Sequence, residues 1–300
     1  MALGLDDLRI GTWTHPDGYT GCTVLLPPHG SLGACANRGA HGTREMALLD
    51  WRGRVEECHA IVLAGGSSLG LSAATGVVEW CEGEGIGYRK SFGLRGTEFL
   101  VPIVGAVSIM DLEAGPAGID SSVGRLACES ASERDPDIGL VGAGAGCTSK
   151  LPRGRGRRRT GQGYASARSD RLVVGALATV NPWGILPPEG VERTYLSESA
   201  QVLDIEPSAD TSPLYGTAVC VVTNARLSKM EAYGVAEAGH DGIAAAFRPL
   251  TTVGDGNAVF CLSTGQIEFD SEEVARLAID VVEAAIVSVK PLESRHADPD

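Results

Sequence analysis

Gly216 and Thr217 are where this sequence could carry a nucleophile. Thr217 opens the β-rich run TAVCVVTNA, directly after a turn-rich stretch from Asp204 to Gly216. Its hydroxyl could attack the preceding carbonyl, because a glycine there gives no side-chain obstruction and tolerates a strained backbone. After such a cut, the new α-amine, with an ordinary pKa of roughly 7.7–8.0, could serve as the base for that hydroxyl. On its own, the pair is far more typical of an ordinary strand start, because a Gly before a strand-opening Thr often occurs by chance.

The glycine-rich run of Gly65, Gly66 and Ser67 precedes a predicted helix and could be an anion-binding turn, since helix N-termini attract negative groups. It lacks the phosphate-loop lysine and the full dinucleotide fingerprint. From its residues alone, the run stays open between an anion-binding turn and a structural one.

The cysteines predict neither a metal site nor a cofactor. They are spread singly along the chain and form no CxxC or Cys/His cluster with metal-ligand spacing. We expect all eight to be small buried apolar residues: Cys22, Cys35, Cys58, Cys81, Cys128, Cys147, Cys220 and Cys261.

Composition limits the class of protein and its partners. Of the 300 residues, 43% are hydrophobic and 21% charged, which is typical of a globular protein with a substantial core. A net charge of -13 argues against nucleic acid as a partner, because phosphates would be repelled. No apolar run approaches the roughly 20 residues of a membrane span, and the start MALGLDDLRIG does not resemble a signal peptide. We expect a cytoplasmic protein without membrane contact.

Hydrophobic patterns predict a mixture of strands and helices. Short apolar stretches bounded by Gly and Pro indicate buried strands at 23–26, 60–64 and 101–104. Helical spacing predicts a helix from Leu69 to Glu84 and a weaker one from Ser121 to Glu133. The Gly/Arg-rich region from Gly139 to Arg171 is interpreted as an unpacked loop. Its arginines suit a solvated loop first, contact with acidic partner subunits second and a nucleic-acid patch last.

The C-terminal third predicts a β-α-β-α order. RLVVGALATVN is a strand that ends at Asn181, and TAVCVVTNA is the next strand. Ser228 and Glu231 form a capping box that starts a helix. The strand NAVFCLST then precedes a last helix from near Asp270 or Ser271, with Glu273 in capping position.

A longer series of segments identifies a family. In chain order they are TGCTVLLPPHG, NRGAHGTREMALLD, HAIVLAGGSSLGLSAATGVVEWCEGEGIGY, VPIVGAVSIMDL, VGAGAGCTSKL, VGALATVNPWG, GTAVCVVTNARLSK, AGHDGIAAAFRP and GDGNAVFCLSTG. The series spans about residues 5 to 290 and resembles the DmpA-like L-aminopeptidase/D-amidase family of N-terminal-nucleophile hydrolases, which includes the nylon-oligomer hydrolases. The resemblance implies a mixed α/β fold built as a four-layer αββα sandwich. It also implies cleavage into chains 1–216 and 217–300, each part of one hydrolase domain.

The resemblance assigns roles to individual residues. Thr217 matches the nucleophile, and Gly216 precedes the cleaved bond. Asn181 matches the asparagine that positions the amine and helps to hold the oxyanion. Asp255 matches one of two acidic residues near the nucleophile and could orient the new ammonium group. We expect Asn181 and Asp255 to support catalysis more than stability. In the family the run of Gly65, Gly66 and Ser67 lines the active-site side of the fold, so the resemblance implies a substrate-pocket or a structural role for it with equal weight.

Two positions depart from the family pattern. Asn257 occupies the second acidic position, where an amide cannot act as a base. Thr160 stands where the family usually has a lysine, and the neighbouring Arg159 could supply the charge but cannot shuttle a proton. His240 and Asp241 match a family AHDG motif, for which we prefer packing or helix pairing to a catalytic dyad.

We therefore predict a hydrolase of amides or small peptides that forms an acyl-enzyme on Thr217. Family precedent suggests a homo-oligomer, as a tetramer. One alternative is acyl transfer, as in ornithine acetyltransferases, which share the general fold and also self-cleave before a threonine. The other is a non-catalytic descendant that serves as a binding module, suggested by Thr160 and Asn257.

Overall fold

The computed structural model describes residues 1–91, 98–112, 114–115, 118–150, 157–183, 215–247 and 255–289. Most of the turn-rich stretch before Gly216 lies outside these ranges, as do Arg153 and Arg155.

The described residues form fourteen strands and five α-helices. The strands are β1 (Arg9–Thr14), β2 (Gly21–Leu26), β3 (Leu32–Arg38), β4 (Gly42–Arg44), β5 (Ala60–Ala64), β6 (Tyr88–Ser91), β7 (Glu98–Val101), β8 (Val104–Ser108), β9 (Thr148–Lys150), β10 (Arg157–Arg159), β11 (Gly161–Ser169), β12 (Leu172–Val180), β13 (Ala218–Ala225) and β14 (Asn257–Ile267). The helices are α1 (Met46–Leu49), α2 (Ser72–Gly83), α3 (Ser121–Glu129), α4 (Lys229–Ala246) and α5 (Ser271–Val287).

Two five-stranded mixed sheets carry the fold. The first has the strand order β1-β2-β5-β8-β4, and the second has the order β11-β12-β13-β14-β3. Each contains one parallel pair, β5 with β8 and β13 with β14, among antiparallel neighbours. Two short antiparallel pairs, β6 with β7 and β9 with β10, lie outside these sheets.

Alternation along the strands stacks these sheets between helices. In β13, Val219 and Val221 pack with residues of α4 and α5, while Cys220 and Val222 pack against the first sheet. Successive side chains point to opposite faces of a sheet, so each strand contributes to two cores. The first sheet packs in the same way against α2 and α3 on its outer face. The four-layer αββα sandwich is confirmed.

The C-terminal third folds in the predicted β-α-β-α order. Ser228 and Glu231 form the complete capping box of α4, which satisfies backbone N–H groups that the first turn would leave unpaired. The Asp270 side chain caps α5 by accepting a hydrogen bond from the Glu272 N–H. Glu273 instead pairs with Arg276, at 2.7 Å, so its side chain does not complete a capping box.

Several boundaries in the first half differ from the prediction. The stretch from Ser67 to Leu71 is a 3-10 helix, so the α-helix begins at Ser72. The predicted strand at 101–104 is divided between the end of β7 and the start of β8. Pro102, between them, has no N–H to donate to a ladder.

The prediction of an unpacked loop from Gly139 to Arg171 was wrong. Most of its second half is β11, which pairs with β12 along nine residues. Gln162 within it is fully buried, and its side chain accepts a hydrogen bond from the Thr23 hydroxyl at 2.6 Å. The first three residues of β11 are buried, and the later ones alternate between half-buried and exposed positions. Its single arginine, Arg168, is exposed on this edge strand, and its other residues are mostly small or polar, so the segment resembled a loop.

The cysteines are free and buried, as predicted. Burial disfavours the thiolate and raises the pKa of Cys22 and of Cys261 to about 12. Within the described ranges, no group of three His, Cys, Asp or Glu residues is arranged to hold a metal ion. None of the helices described is both long and apolar enough to cross a membrane.

Candidate active site

Three strand ends of the second sheet meet at one edge. β12 is antiparallel to β13, and β14 is parallel to it, so the end of β12 lies beside the starts of the other two strands. Asn181 directly follows β12, Thr217 directly precedes β13, and Asn257 is the first residue of β14. The topology therefore brings together three residues that the sequence separates by up to 76 positions (257 − 181).

Thr217 is held through its backbone, while its hydroxyl is left unpaired. Its N–H donates to Asn257 Oδ1 at 2.8 Å, and its carbonyl accepts from the Ala258 N–H at 3.2 Å. The side chain is almost fully buried, and Oγ1 has no hydrogen-bond partner among the described residues. Burying an unpaired polar group costs on the order of 1–3 kcal/mol, so its retention requires an explanation.

Gly216 is required at its position by a close backbone approach. A Cβ added there would collide with the carbonyl oxygen of Gly256, which immediately precedes β14. The φ angle of Gly216 is not among the positive values, so the expected role in tolerating strained backbone is replaced by a steric one. Its N–H donates to the Asn181 carbonyl at 2.9 Å, which fixes the peptide unit just before Thr217.

Asn181 is fully buried and its side chain links two other segments. Oδ1 accepts from the Thr148 N–H at 3.0 Å, and Nδ2 donates to the Met110 carbonyl at 3.1 Å. No hydrogen bond joins this side chain to Thr217 within the described structure; the two residues are connected through the Asn181 carbonyl and Gly216. The side chain therefore has a structural function in addition to any catalytic one.

Asp255 contacts two residues near the site, Tyr215 and Trp183. It forms a parallel bridge with Tyr215, and its Oδ1 lies 3.5 Å from the Trp183 backbone nitrogen. Residues 183 and 215 flank the longest range outside the described structure. Asp255 is buried: its carboxylate lies beside residue 183, and its backbone lies beside residue 215, next to Gly216.

The two departures from the family pattern lie in different places. Asn257 contacts Thr217 directly, as described above. Thr160 is buried and donates its hydroxyl proton to the Val180 carbonyl, one residue before Asn181. The half-buried Arg159 donates to the carbonyls of Gly18 and Ala145. Neither Thr160 nor Arg159 is hydrogen-bonded to Thr217 in the part of the chain that the structure describes.

Asp111 is a buried carboxylate that the sequence did not reveal. Its Oδ1 accepts from the Gly66 N–H at 2.5 Å and its Oδ2 from the Thr20 hydroxyl at 2.7 Å. Burial raises the pKa of Asp111, although both hydrogen bonds oppose that effect. A Cβ at Gly65 would collide with this carboxylate. Gly65 and Gly66 thus accommodate Asp111, and the only signal in the sequence was its position at the end of VPIVGAVSIMDL.

Ser67 lines a cleft with Thr217. The cavity volume of this cleft is about 20 Å³, which is room for about one water molecule and lies well below the range of small-ligand pockets. Gly65 and Gly66 do not line it, so of the predicted pocket residues only Ser67 faces this space. The other lining residues are Ala40, His41, Gly42, Val107, Ser108, Ile109, Met110, Tyr215, Gly216, Ala218 and Gly256. His41 and Ser108 were not predicted, because they come from the other sheet.

His240 packs against β3, which is the structural role that we preferred. Its Nε2 lies 3.1 Å from the Ala36 carbonyl oxygen, and the residue is buried. Burial lowers the pKa of His240 to about 4, so the ring is neutral at pH 7 and donates its proton to that carbonyl. Asp241, its neighbour, is exposed on α4.

Sequence comparisons identify the family of this chain. A model of Peptidase family S58 matches residues 5–290. An uncharacterized aminopeptidase of Mycobacterium tuberculosis is 34% identical over 276 residues, which cover 84% of this chain and 75% of that relative. A 6-aminohexanoate-oligomer endohydrolase of Agromyces sp. is 27% identical over 276 residues, with 87% and 74% covered.

Solved structures with the same fold support the layer arrangement. The L-aminopeptidase D-Ala-esterase/amidase from Ochrobactrum anthropi superposes with a TM-score of 0.69 at 16% identity, covering 95% of this chain and 84% of that one. A β-aminopeptidase of Burkholderia sp. gives the same values. The first of these is described as a variant of the Ntn hydrolase fold.

Proposed function

Because the chain belongs to peptidase family S58 and is a hydrolase of amide bonds, we propose that Thr217 is its nucleophile, released by self-cleavage after Gly216. The observation that carries this proposal is the buried, unpaired Thr217 hydroxyl beside the Gly216 peptide unit. Cleavage would divide the chain into residues 1–216 and 217–300, which together form one hydrolase.

The cleavage step needs only groups that adjoin the bond. The Thr217 hydroxyl oxygen attacks the Gly216 carbonyl carbon, and its proton passes to the leaving Thr217 nitrogen. The C–N bond breaks as the C–O bond forms, leaving an ester, which water hydrolyses to a Gly216 carboxylate and the free hydroxyl. The Asn181 carbonyl and Asn257 Oδ1 hold the nitrogens on either side of the attacked carbonyl. These hydrogen bonds restrict how the carbonyl and the adjacent hydroxyl move relative to each other, which favours the attack.

Substrate turnover repeats the chemistry with the new amine as base. The neutral amine of Thr217 accepts the hydroxyl proton, the oxygen attacks a substrate amide carbonyl, and the leaving amine departs with a proton. Water then hydrolyses the acyl-enzyme. Nδ2 of Asn181 carries a second hydrogen beyond the one given to Met110, and we assign that donor to the oxyanion. Asp255 supplies negative charge near the amine.

We propose small peptides or related amides as substrates, hydrolysed by a homo-oligomer in the cytoplasm. The relatives are named as aminopeptidases or as an oligomer endohydrolase, which favours water over an amine as the acyl acceptor.

N-terminal sequencing of the purified protein tests the proposed nucleophile. We expect two fragments, the smaller starting at Thr217, because that bond adjoins the unpaired hydroxyl. Thr217→Ala should remain one folded and inactive chain, whereas Thr217→Ser keeps a hydroxyl and should retain some cleavage. A small fragment with another N-terminus, or an Ala variant cut at the same bond, would show that a different group acts. A wild-type chain that stays intact would favour the binding-module alternative.

A further inference from the structure

We infer that Asn257 is the positioning residue for the Thr217 amine, and that its lack of charge sets the hydrolysis to a lower pH range than a carboxylate there would allow. This inference rests on the proposed function. Its basis is the 2.8 Å hydrogen bond from the Thr217 nitrogen to Asn257 Oδ1, between two buried residues.

The hydrogen bond fixes the direction of the amine lone pair. A backbone N–H has one hydrogen, which Oδ1 accepts in the intact chain. After cleavage, the same nitrogen carries two hydrogens and a lone pair. If Oδ1 keeps one N–H, rotation about the N–Cα bond is restricted, and the lone pair can stay directed at the hydroxyl of the same residue. Asn257 itself is held by antiparallel pairing with Arg38 in β3.

A neutral partner at this distance favours the neutral amine. An amide oxygen accepts a hydrogen bond from an amine or an ammonium without adding a full charge. A carboxylate within about 4–6 Å would favour the ammonium and raise the pKa of the amine by roughly 1–3 units. An ammonium has no lone pair and cannot act as the base. The asparagine therefore keeps more of the amine active near neutral pH.

Other charged groups near the amine are the same in an Asn257 variant. Asp255 adjoins the start of β14, and His41 lines the cleft from the other sheet. Asp111 follows the cleft residue Met110 and has Arg159 nearby. Arg38 pairs with Glu237 of α4 at 2.6 Å. Their combined effect on the amine is present in both proteins, so a comparison of the two isolates the charge at 257.

The test compares the wild type with Asn257→Asp, which has nearly the same size. The pH dependence of kcat/KM, measured on a chromogenic alanyl anilide, reports the amines of the free enzyme and of the free substrate, and the substrate amine contributes equally for both proteins. We expect the rising limb of Asn257→Asp to move up by about 1 unit or more. Cyanate modifies the neutral Thr217 amine, and the mass of the 217–300 fragment monitors the reaction. The pH dependence of its rate should shift in the same direction, and this measurement does not depend on turnover.

Two controls separate charge from structure. Gln266→Glu adds one charge near the far end of β14, at an exposed position, and should leave the profile unchanged. Asn257→Ala removes the acceptor without adding charge, so we expect a lower rate at every pH with the midpoint near the wild-type value. Asn257→Ala also tests the inference if Asn257→Asp does not fold. A large shift in the midpoint of the Asn257→Ala pH profile would contradict the role of Asn257 as a neutral positioning residue.

The outcomes distinguish this inference from the proposed function. A wild-type chain that never cleaves would overturn both. A wild type that cleaves and hydrolyses, with an Asn257→Asp variant whose two pH profiles match it, would overturn the inference alone. A shift in both profiles, absent from Gln266→Glu, would support it.

Discussion

At the residue scale, the Thr217 hydroxyl combines burial with the lack of a partner. Buried Thr and Ser side chains normally find one, as Thr20 does with Asp111 and Thr23 with Gln162. An oxygen without a competing hydrogen bond is free to approach a carbonyl carbon. Stability is sacrificed at such a site to keep the group reactive, which is a common feature of functional residues.

Asn181→Ala tests whether one residue supports both stability and chemistry. The substitution would leave the Thr148 N–H and the Met110 carbonyl without their side-chain partners, at about 1–3 kcal/mol each. It would also remove the assigned oxyanion donor, which typically costs on the order of 100- to 1000-fold in turnover. We therefore expect a lower melting temperature together with slower cleavage and hydrolysis. Thermal unfolding and single-turnover rates measure the two effects.

The initial expectation that Asn181 affects stability little is revised by these contacts. If Asn181→Ala lost stability but kept the wild-type rate, the residue would be structural only. If it lost rate with an unchanged melting temperature, the two buried hydrogen bonds would have been replaced by others. Such a replacement requires Thr148 to rearrange, which hydrogen–deuterium exchange at the Thr148 amide would reveal.

At the element scale, the sequence predicted the parts of the fold that follow local rules. β12, β13, α4, β14 and α5 were recognised, because apolar runs and N-terminal capping residues are local signals. β11 was missed, because an edge strand of Gly, Ala, Ser and one exposed arginine, in an arginine-rich region, resembles a polar loop. It is a strand because it pairs with β12, and the spacing of residues in the sequence does not predict that pairing.

The site was predicted only in part for the same reason. Thr217, Asn181, Asp255 and Asn257 came from motifs on one sheet, and the structure brings their strand ends together. His41 and Ser108 line the cleft from the opposite sheet. They reach the cleft because the two sheets stack face to face. The periodicity of the sequence does not predict which residues of one sheet lie opposite the other.

α4 contains a titratable contact that should make stability depend on pH. The pKa of His240 is lowered to about 4 in the folded protein, whereas an unfolded histidine titrates near about 6.5. The unfolded chain therefore binds the proton first as the pH falls. The stability from the neutral ring is present above about pH 6.5 and is lost progressively toward pH 4, by up to about 1.4 kcal/mol per pH unit.

His240→Gln removes this titration and can keep a donor toward the Ala36 carbonyl. Between pH 7 and pH 5, we expect the free energy of unfolding to fall by about 1–2 kcal/mol less in the variant than in the wild type. Urea unfolding at several pH values measures it. His29→Gln, at an exposed histidine, is the matched control. Parallel pH curves for wild type and His240→Gln would contradict the assignment.

At the scale of the whole molecule, the two fragments of the proposed cleavage would share the second sheet. Residues 217–300 supply β13 and β14, and their outer neighbours β12 and β3 belong to residues 1–216. The core between the two sheets, and the core between the second sheet and helices α4 and α5, likewise contain side chains from both parts. Each part alone would expose strand edges and an apolar sheet face to water, so neither is expected to fold by itself.

Cleavage should therefore leave the two parts associated. We expect the cleaved protein to elute in size-exclusion chromatography at the position of the uncleaved Thr217→Ala variant, and its fragments to separate only under denaturing conditions. A reducing agent should make no difference, because all eight cysteines are free. Paired strands and shared cores hold the parts together, so both should also unfold in one transition. Release of a folded 217–300 fragment from the native protein would show that these interactions do not hold the sheet together after the cut, and that the small chain folds independently.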